Sequence, residues 1–223
     1  MNILNGILIQ SRISANVSAI EALRGLPTSV IGDVMGGRLV GTTALRPINR
    51  SSITTCGNAF TVRVRTGDNL LIHKALDMLE AGDVLVVDGE GDTSRALVGE
   101  IMMTSARVRG AVAFVMDGAI RDADAFETHQ FPCWARGISL RGPYKDGPGS
   151  INVPVTIGGM VVNPGDVIVG DGDGIIAVPS ALAVQVAELA HAKVAHEKET
   201  IAAILDGTYS SAWVDAALKQ KEM

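Results

Sequence analysis

The sequence has few aromatic residues and no excess of basic ones. Aromatic side chains make up 4% of the 223 residues and hydrophobic residues 47%, so the core must consist mainly of aliphatic side chains and methionine. Lys and Arg number 19 against 24 Asp and Glu, which gives a net charge of -5. Because phosphate-binding surfaces are normally basic, this balance argues against a nucleic-acid-binding protein.

Cysteines and long hydrophobic segments are also scarce. Cys56 and Cys133 have no C-x-x-C spacing and no paired histidines, so we interpret them as reduced structural thiols. No apolar run reaches the roughly 18 residues that a membrane helix needs. The first residues also lack the basic segment of a signal peptide. We therefore expect a cytoplasmic protein with neither a membrane partner nor a nucleic-acid partner.

The hydrophobic pattern predicts a single α/β domain over residues 1–223. Apolar runs at residues 84–88 and 110–116 flank a helical pattern, and together they describe a βαβ unit. After residue 131, glycine- and proline-containing turns predict a β-meander or a small barrel. Apolar residues then recur at helical spacing from Ser180, the predicted N-cap, to Gly207. The predicted fold is thus a βαβ core, a C-terminal β-meander and a long final helix.

Three shorter segments also have clear patterns. Strict alternation over residues 59–66 predicts a half-buried strand, and residues 151–157 predict one continuous strand. In a helix predicted over residues 14–24, Val17 and Leu23 lie on one apolar stripe. We therefore expect Val17 to face the core.

Polar residues follow both strands of the predicted βαβ unit. The segment Asp-Gly-Ala-Ile-Arg-Asp, residues 117–122, forms a turn after the second strand, and residues 88–92 follow the first. Parallel strands place such loops at one edge of a sheet, so both segments should meet residues 99–102 in one crevice. The intervening helix begins either after Asp92 or at Gly99. If it begins at Gly99, its free N–H groups form a cradle for a carboxylate or phosphate.

Several polar residues have ordinary interpretations. An adjacent pair such as Arg121 and Asp122 is most often a surface ion pair. Only its predicted convergence with the other polar segments favours a functional site. Lys74 is typical of a solvated lysine on an amphipathic helix rather than of a Schiff-base lysine. Asp33 is equally compatible with a turn and with a role near the site. The aspartates of the later turns are interpreted as structural: Asp166, Asp171 and Asp173.

A series of short motifs occurs in order along the chain. They are Gly82-Asp-Val-Leu-Val-Val-Asp-Gly89, Ala96-x-x-Gly99-Glu100, Asp117-Gly-Ala-x-Arg-Asp122, Phe131-Pro132, Ala135-Arg-Gly137, Asn152-x-Pro154-Val155, Gly158-Gly159, Pro164-Gly165-Asp166 and Asp171-x-Asp173-Gly174. Together they resemble the RraA-like family, which includes class II 4-hydroxy-4-methyl-2-oxoglutarate / 4-carboxy-4-hydroxy-2-oxoadipate aldolases, oxaloacetate decarboxylases and the regulator of ribonuclease activity A. The resemblance implies a swivelling β/β/α domain that forms a homotrimer or hexamer, with the site at the subunit interface.

The resemblance also implies how a small α-keto acid substrate would be bound. Arg121 would bind the α-keto acid. The substrate's carboxylate end would contact the backbone of four consecutive residues: Gly99, Glu100, Ile101 and Met102.

The metal and the acids are implied by the same resemblance. Asp122 would ligate Mg²⁺, Mn²⁺ or another divalent cation. Glu100 matches an acid that helps to hold a water molecule, and a further acid would come from a neighbouring subunit's C-terminal helix. The best match for that acid is Glu197, with Glu199 as the alternative. The chain departs from the aldolase pattern at Ala125, where the aldolases have an acid.

These residue types suit cleavage of a carbon–carbon bond in a small α-keto dicarboxylic acid. Retro-aldol cleavage and oxaloacetate decarboxylation both leave the enolate of pyruvate, whose charge a divalent cation and Arg121 would stabilise. A water held by Glu100 and Glu197 would transfer the proton. The leading hypothesis is therefore a class II aldolase or oxaloacetate decarboxylase that releases pyruvate.

A second hypothesis belongs to a different class of protein. A non-catalytic ring that binds and inhibits a ribonuclease complex is also compatible with the resemblance, because the regulator shares the Arg-Asp pair. A methyltransferase has no support, since the chain lacks a glycine-rich strand-to-helix loop followed by a ribose-binding acid.

Overall fold

The computed structural model describes residues 6–36 and 41–221, so residues 1–5, which were considered for a signal peptide, lie outside the described part. The described α-helices are α1 (Val17–Leu23), α2 (Thr28–Val34), α3 (Leu70–Leu76), α4 (Glu100–Val108), α5 (Ala123–Thr128), α6 (Ala183–Leu205) and α7 (Ala212–Lys221). The described strands are β1 (Ile7–Ile9), β2 (Gly41–Thr42), β3 (Arg46–Pro47), β4 (Thr55–Val64), β5 (Asp83–Asp88), β6 (Ala96–Val98), β7 (Ala113–Ile120), β8 (Cys133–Ile138), β9 (Gly149–Ile151), β10 (Val155–Ile157), β11 (Met160–Val162), β12 (Val167–Gly170) and β13 (Ile175–Val178).

A curled mixed sheet forms the centre of the fold. Its main path runs β2-β13-β12-β4-β5-β7-β8-β3, in which β4, β5, β7 and β8 are parallel neighbours. The short strand β6 pairs in parallel with the end of β7, and β10 and β11 form a separate hairpin. Because parallel strands end at the same edge, the segments that follow β5 and β7 lie at one side of the sheet.

Three hydrophobic clusters lie between the layers. On one face of the parallel strands, α3, α4 and α5 pack around Phe114, Phe126 and Phe131. On the other face, the β10–β11 hairpin covers a cluster that includes the fully buried Trp134. A third cluster joins α1, α2 and α6 to β12 and β13. This layering confirms the predicted α/β class, with its βαβ core and long C-terminal helix. The C-terminal β region consists of two antiparallel hairpins, β10–β11 and β12–β13, rather than one continuous meander.

The prediction of a half-buried strand over residues 59–66 is correct in part. Phe60, Val62 and Val64 are buried and Arg63 and Arg65 are exposed as predicted, but the strand ends at Val64 and Thr61 is buried. Within β4, only Arg63 is exposed. Thr61 is fully buried, and its hydroxyl donates a hydrogen bond to the carbonyl of Val153 at 2.6 Å. The alternation therefore predicts solvent contact correctly at Arg63 and Arg65 but not at Thr61, where both faces of the sheet are covered.

Two further local predictions are wrong. Residues 151–157 do not form one strand, because Asn152 has a left-handed backbone at φ +56° and separates β9 from β10. Val17 is 71% exposed, because α1 begins at this residue and buries Ala19 and Leu23 instead. Hydrophobic spacing alone did not indicate where either element begins.

Ser180 is not the N-cap of α6. It begins a 3-10 turn at Ser180–Leu182, and its hydroxyl accepts the backbone N–H of Asn16 at 3.2 Å. The side chain therefore links the start of α1 to the turn before α6. The end of the long helix is close to the prediction, with Gly207 in a left-handed conformation at φ +71°.

The later aspartates stabilise turns and helix ends, as predicted. Asp171 accepts hydrogen bonds from the backbone N–H and the hydroxyl of Thr28 at 2.8 and 2.7 Å. Asp166 accepts the N–H of Asn163 at 2.8 Å, while burial raises the pKa of this carboxyl group. Asp33 forms an ion pair with Lys193 of α6 at 3.1 Å.

Both cysteines are buried free thiols, in agreement with their interpretation from the sequence. Burial raises the pKa of Cys56 to about 11 and also raises the pKa of Cys133. Among the described helices, none combines the length and the apolar character needed to cross a membrane.

Candidate active site

The Asp-Gly-Ala-Ile-Arg-Asp motif lies at the carboxyl end of β7. The strand extends to Ile120, so the first four residues of the motif are strand rather than the predicted turn. Arg121 and Asp122 follow at once, and Asp122 has a left-handed backbone at φ +56°. This change of direction ends the strand and precedes α5.

The two side chains lie against the start of α4. This helix begins at Glu100 with Gly99 as its N-cap, so the later of the two predicted starts is correct. The carboxylate of Asp122 accepts the N–H of Glu100 at 3.1 Å and so takes the place of a capping side chain. A Cβ atom at Gly99 would collide with Asp122 Oδ2 and would lie 2.9 Å from Arg121 Cγ. Any larger residue at this position would therefore have to displace the side chain of Asp122 or Arg121.

Opposite charges meet at this point, as the sequence indicated. Arg121 Nε lies 3.6 Å from Asp122 Oδ2, and each side chain is 43% exposed. Glu100 Oε1 lies 3.7 Å from His129 Nε2, and the other ring nitrogen of His129 lies 3.3 Å from Arg107 Nη1. The helix start is thus surrounded by charged groups that remain accessible to a ligand.

A pocket of about 380 Å³ opens beside the start of α4. It is lined by Arg121, by residues 96–99, by side chains of α4, by His73 of α3 and by Lys145. This volume suits a small organic molecule. Because much of the lining is apolar and two of its residues are cationic, the pocket favours a short carbon chain that carries negative charge.

The two titratable residues His73 and Lys145 of this pocket were not predicted as site residues. Burial lowers the pKa of His73, and the nearby ammonium of Lys145 lowers it further. Lys145 lies in a long turn rich in glycine and proline, and the length of that turn was the only signal in the sequence. The buried Asn69 also lines the pocket and donates from Nδ2 to the carbonyl of Leu97 at 2.9 Å, which ties the start of α3 to β6.

The predicted convergence does not extend to Asp88 at the end of β5 or to Asp117 within β7. Asp117 accepts the N–H of Gly158 at 2.8 Å, and Asp88 accepts the N–H of Thr156 at 3.3 Å. Both carboxylates are buried and hold the β10–β11 hairpin against the sheet. Neither lines the pocket, whereas Gly99, Ile101 and Met102 line it together with Arg121. Glu100 and Asp122 are not lining residues and lie beside the pocket at the start of α4.

The C-terminal acids do not line the pocket within the single chain. Glu197 pairs with Lys193 on α6 at 3.3 Å, and Glu199 is exposed on the same helix. Helix α6 packs with α1 and α2 on the opposite side of the fold from the α3–α5 layer. The contribution of either acid from a neighbouring subunit therefore stays a prediction.

The remaining candidates have structural explanations. Lys74 is exposed and does not line the pocket, as expected for a solvated lysine. Ala125 packs against the core from α5. Its neighbour Asp124 is 90% exposed and pairs with Arg50 at 3.2 Å. Neither Asp124 nor Ala125 supplies an acid to the pocket.

Asp122 fits the role of a metal ligand that shares its ion with a substrate. Residues 6–36 and 41–221 contain no cluster of three or more His, Cys, Asp or Glu side chains suited to hold a metal by themselves. The carboxylate of Asp122 is partly exposed and accepts one backbone N–H through Oδ2. Mg²⁺ commonly uses one or two protein carboxylates and completes its shell with water and substrate oxygens. The donor set here is therefore compatible with a hard divalent cation.

The fold and the pocket together define an α/β protein with a cation-lined site for a small anionic molecule, located where parallel strands end and a helix begins. The Aldolase/RraA family model matches residues 28–177, and the chain belongs to this RraA-like family. The resemblance inferred from the ordered motifs is thus confirmed.

Individual relatives agree with this assignment. The chain is 38% identical, over 192 residues, to a Halalkalibacterium halodurans protein provisionally named 4-hydroxy-4-methyl-2-oxoglutarate aldolase, with 86% of this chain and 91% of that protein covered. A crystal structure of an uncharacterized protein from Pseudomonas syringae pv. tomato matches with a TM-score of 0.80 at 27% identity, covering 90% and 94% of the two chains. The RNA-processing inhibitor RraA from Thermus thermophilis matches with a TM-score of 0.62 at 27% identity, covering 69% and 92%.

Proposed function

We propose that this protein is a divalent-metal-dependent carbon–carbon lyase that releases pyruvate from a small α-keto dicarboxylic acid. The observation that carries the proposal is the placement of Arg121 and Asp122 against the N-terminus of α4, with Arg121 in the wall of a pocket of suitable size and Asp122 beside it. The aldolase name of the relative with 38% identity supports a substrate of the 4-hydroxy-4-methyl-2-oxoglutarate type. Oxaloacetate is a second candidate, because its decarboxylation breaks the equivalent bond between carbons 3 and 4.

Arg121 is proposed to bind the keto and carboxylate oxygens of the substrate. Its guanidinium is always charged, and the contact with Asp122 restricts its position before the substrate arrives. When the bond between carbons 3 and 4 breaks, the electron pair moves onto the pyruvate fragment, and negative charge grows on the keto oxygen. A fixed donor at this oxygen typically contributes on the order of 2.7–4 kcal/mol to lowering the barrier.

The start of α4 and Asp122 complete the proposed binding site. The N–H groups of the first helical turn that follow Glu100 offer hydrogen bonds to the substrate carboxylate, while Asp122 accepts the N–H of Glu100 itself. Asp122 would hold Mg²⁺ or Mn²⁺ beside them, and the ion, when bound, would supply further positive charge for the developing enolate. Gly99 allows these groups to lie close together.

Glu100 is proposed to position the water that returns a proton to the enolate carbon. Its carboxylate is 54% exposed at the start of α4, between the lining residues Gly99 and Ile101, so it can hold a water beside the pocket. The second acid is proposed to be Glu197 of a neighbouring subunit, with Glu199 as the alternative. We further propose a homotrimer or hexamer, which the exposed apolar residues of the C-terminal helices support: Ile201, Ile204, Leu205 and Trp213.

The proposal is tested by metal removal together with a matched pair of carboxylate variants. Pyruvate release should stop in EDTA and return with Mg²⁺ or Mn²⁺. Asp122→Asn should lower the rate by about 100-fold or more, because the metal ligand is lost. Asp124→Asn should retain the rate, since that side chain is exposed and lies outside the pocket. Release that continues in EDTA, or equal rates for the two variants, would contradict the proposal.

A second candidate function is regulation of RNA processing, which the likeness to the RNA-processing inhibitor RraA favours. A ring that inhibits a ribonuclease complex would bind its target whether or not it releases pyruvate. A pull-down against a ribonuclease assembly, run beside the pyruvate assay on both substrates, separates the two functions. We place either function in the cytoplasm, which the two free thiols support.

A further inference from the structure

Lys145 lies in the same pocket as Arg121 but has no carboxylate of its own. Among the described residues it takes part in no ion pair. The adjacent acid, Asp146, pairs instead with Arg65 at 3.5 Å. The pocket therefore contains a second cation whose charge is available to a ligand.

The backbone on the C-terminal side of Lys145 is held by a buried carboxylate. Asp68 is fully buried and accepts the N–H groups of Asp146 and Gly147 at 2.7 and 3.0 Å. Although burial favours the neutral acid, these bonds, a third from the N–H of Leu70 and the charge of Arg65 keep the pKa of Asp68 below its usual value. The anchor therefore remains ionised at neutral pH.

The backbone on the N-terminal side is held just as firmly. The N–H of Tyr144 donates to the carbonyl of Gly67 at 2.8 Å, and its own carbonyl accepts the N–H of Asn69 at 3.0 Å. The guanidinium of Arg95 lies 4.1 Å from the centre of the Tyr144 ring and donates to the carbonyl of Gly142 at 2.7 Å. Lys145 is thus a free side chain on a fixed backbone, which lowers the entropy lost when it binds a ligand.

His73 is a titratable pocket residue beside Lys145, and the charge of Asp77, four residues further along the chain, partly opposes the effect of Lys145 on its pKa. Because burial and the ammonium of Lys145 lower its pKa, the imidazole is neutral at pH 7. It adds no second charge to this side of the pocket and still offers a hydrogen bond. Lys145 therefore supplies the positive charge on this wall, while Arg121 supplies it at the end of β7.

We infer that Lys145 binds the substrate carboxylate that is remote from the keto group, and so makes the pocket selective for diacids. Arg121 and the start of α4 engage one end of the carbon chain, and the apolar wall that includes Leu97 and Met102 covers its middle. The inference rests on the proposed function for the identity of the substrate. It can be tested independently, because binding requires no turnover.

The test compares a diacid with a monoacid by isothermal titration calorimetry in the presence of Mg²⁺. The probes are 2-oxoglutarate, which lacks the hydroxyl needed for cleavage, and 2-oxobutanoate, which lacks the second carboxylate. Lys145→Gln should weaken binding of 2-oxoglutarate roughly 10- to 100-fold, the usual effect of losing a hydrogen bond between charged groups. Binding of 2-oxobutanoate should change by no more than about twofold, because it has no group for Lys145.

The control is Lys74→Gln, which removes the same charge from an exposed position one residue after His73 and should bind both acids as the wild type does. Lys145→Arg should restore most of the preference for the diacid. Equal losses for both acids in Lys145→Gln, or no loss for either, would overturn the inference, as would a wild-type protein that binds neither acid. A wild type that shows the Lys145-dependent preference but releases no pyruvate would refute the proposed function and leave this inference standing.

Discussion

Gly99 sets the distance between the Arg121–Asp122 pair and helix α4. Its backbone conformation, with φ -153° and ψ -166°, is open to any residue, so the requirement for glycine comes from the neighbouring side chains and not from the backbone. Substitution of Gly99 is therefore a sensitive test of the site's geometry. A single added methyl group must displace either Asp122, the proposed metal ligand, or Arg121, which is proposed to bind the keto acid.

Gly99→Ala should lower kcat/KM for pyruvate release by roughly 100-fold, since a shift of about 1 Å in a positioned group can have that effect. Gly172→Ala is the matched control, because a Cβ there meets nothing within 4 Å, and its activity should equal that of the wild type. The comparison requires steady-state kinetics and a melting curve for each variant. Wild-type kinetics in Gly99→Ala would show that the close approach is not needed for activity.

For individual residues, the sequence predicts site residues that belong to short local motifs and misses those that are positioned by contacts distant in the chain. Arg121, Asp122 and Gly99 were identified because each belongs to a short motif next to a buried strand. Lys145 was not, because its place in the pocket depends on the buried anchor Asp68, which lies 77 residues earlier in the chain. Hydrogen bonds of this range leave no periodic signal in a single sequence.

Among the elements, the turn around Lys145 depends on one carboxylate. Asp68→Asn should lower the free energy of unfolding by roughly 1.5–3 kcal/mol, because the backbone donors of Asp146 and Gly147 lose their charged acceptor. The control is Asp77→Asn at the other end of α3, whose carboxylate is 63% exposed and pairs with Arg109. Urea unfolding of both variants measures the difference.

The pH dependence of this variant has a definite sign. The pKa of Asp68 is lower in the folded protein than in the unfolded chain, so the unfolded chain binds more protons in acid. The stabilisation from Asp68 is therefore complete above its ordinary pKa of about 4 and is lost as the pH falls below it. The Asp68→Asn variant lacks this stabilisation at every pH. The difference in the free energy of unfolding between wild type and variant should therefore shrink as the pH falls from 7 to 3. A deficit that stayed constant would contradict the assignment.

The order of the elements was largely predictable, whereas their burial was not. The βαβ unit, the turns of the C-terminal β region and the long final helix follow from hydrophobic periodicity and from turn residues. The burial of Thr61 in β4 depends on the helices and the β10–β11 hairpin that cover both faces of the sheet. The break at Asn152 depends on a backbone conformation that most residues avoid.

For the whole molecule, the proposed shared site predicts complementation between two inactive variants. Asp122→Asn and Glu197→Gln should each be inactive alone. If they are unfolded together in equal amounts and refolded as mixed assemblies, about a quarter of the sites should contain both native residues and regain activity. Glu199→Gln should be active by itself if Glu197 is the acid. Failure of the mixture to regain activity would contradict a site shared between copies.

The buried thiols make such mixing experiments simple to follow. With a Cys56 pKa of about 11, only about one thiol in a thousand is ionised at pH 8, and Cys133 is shielded still further. Maleimide dyes should therefore leave the native protein unlabelled. A single cysteine placed on the exposed surface of α7 would carry the only fluorophore, so that energy transfer between differently labelled copies could report their exchange in real time.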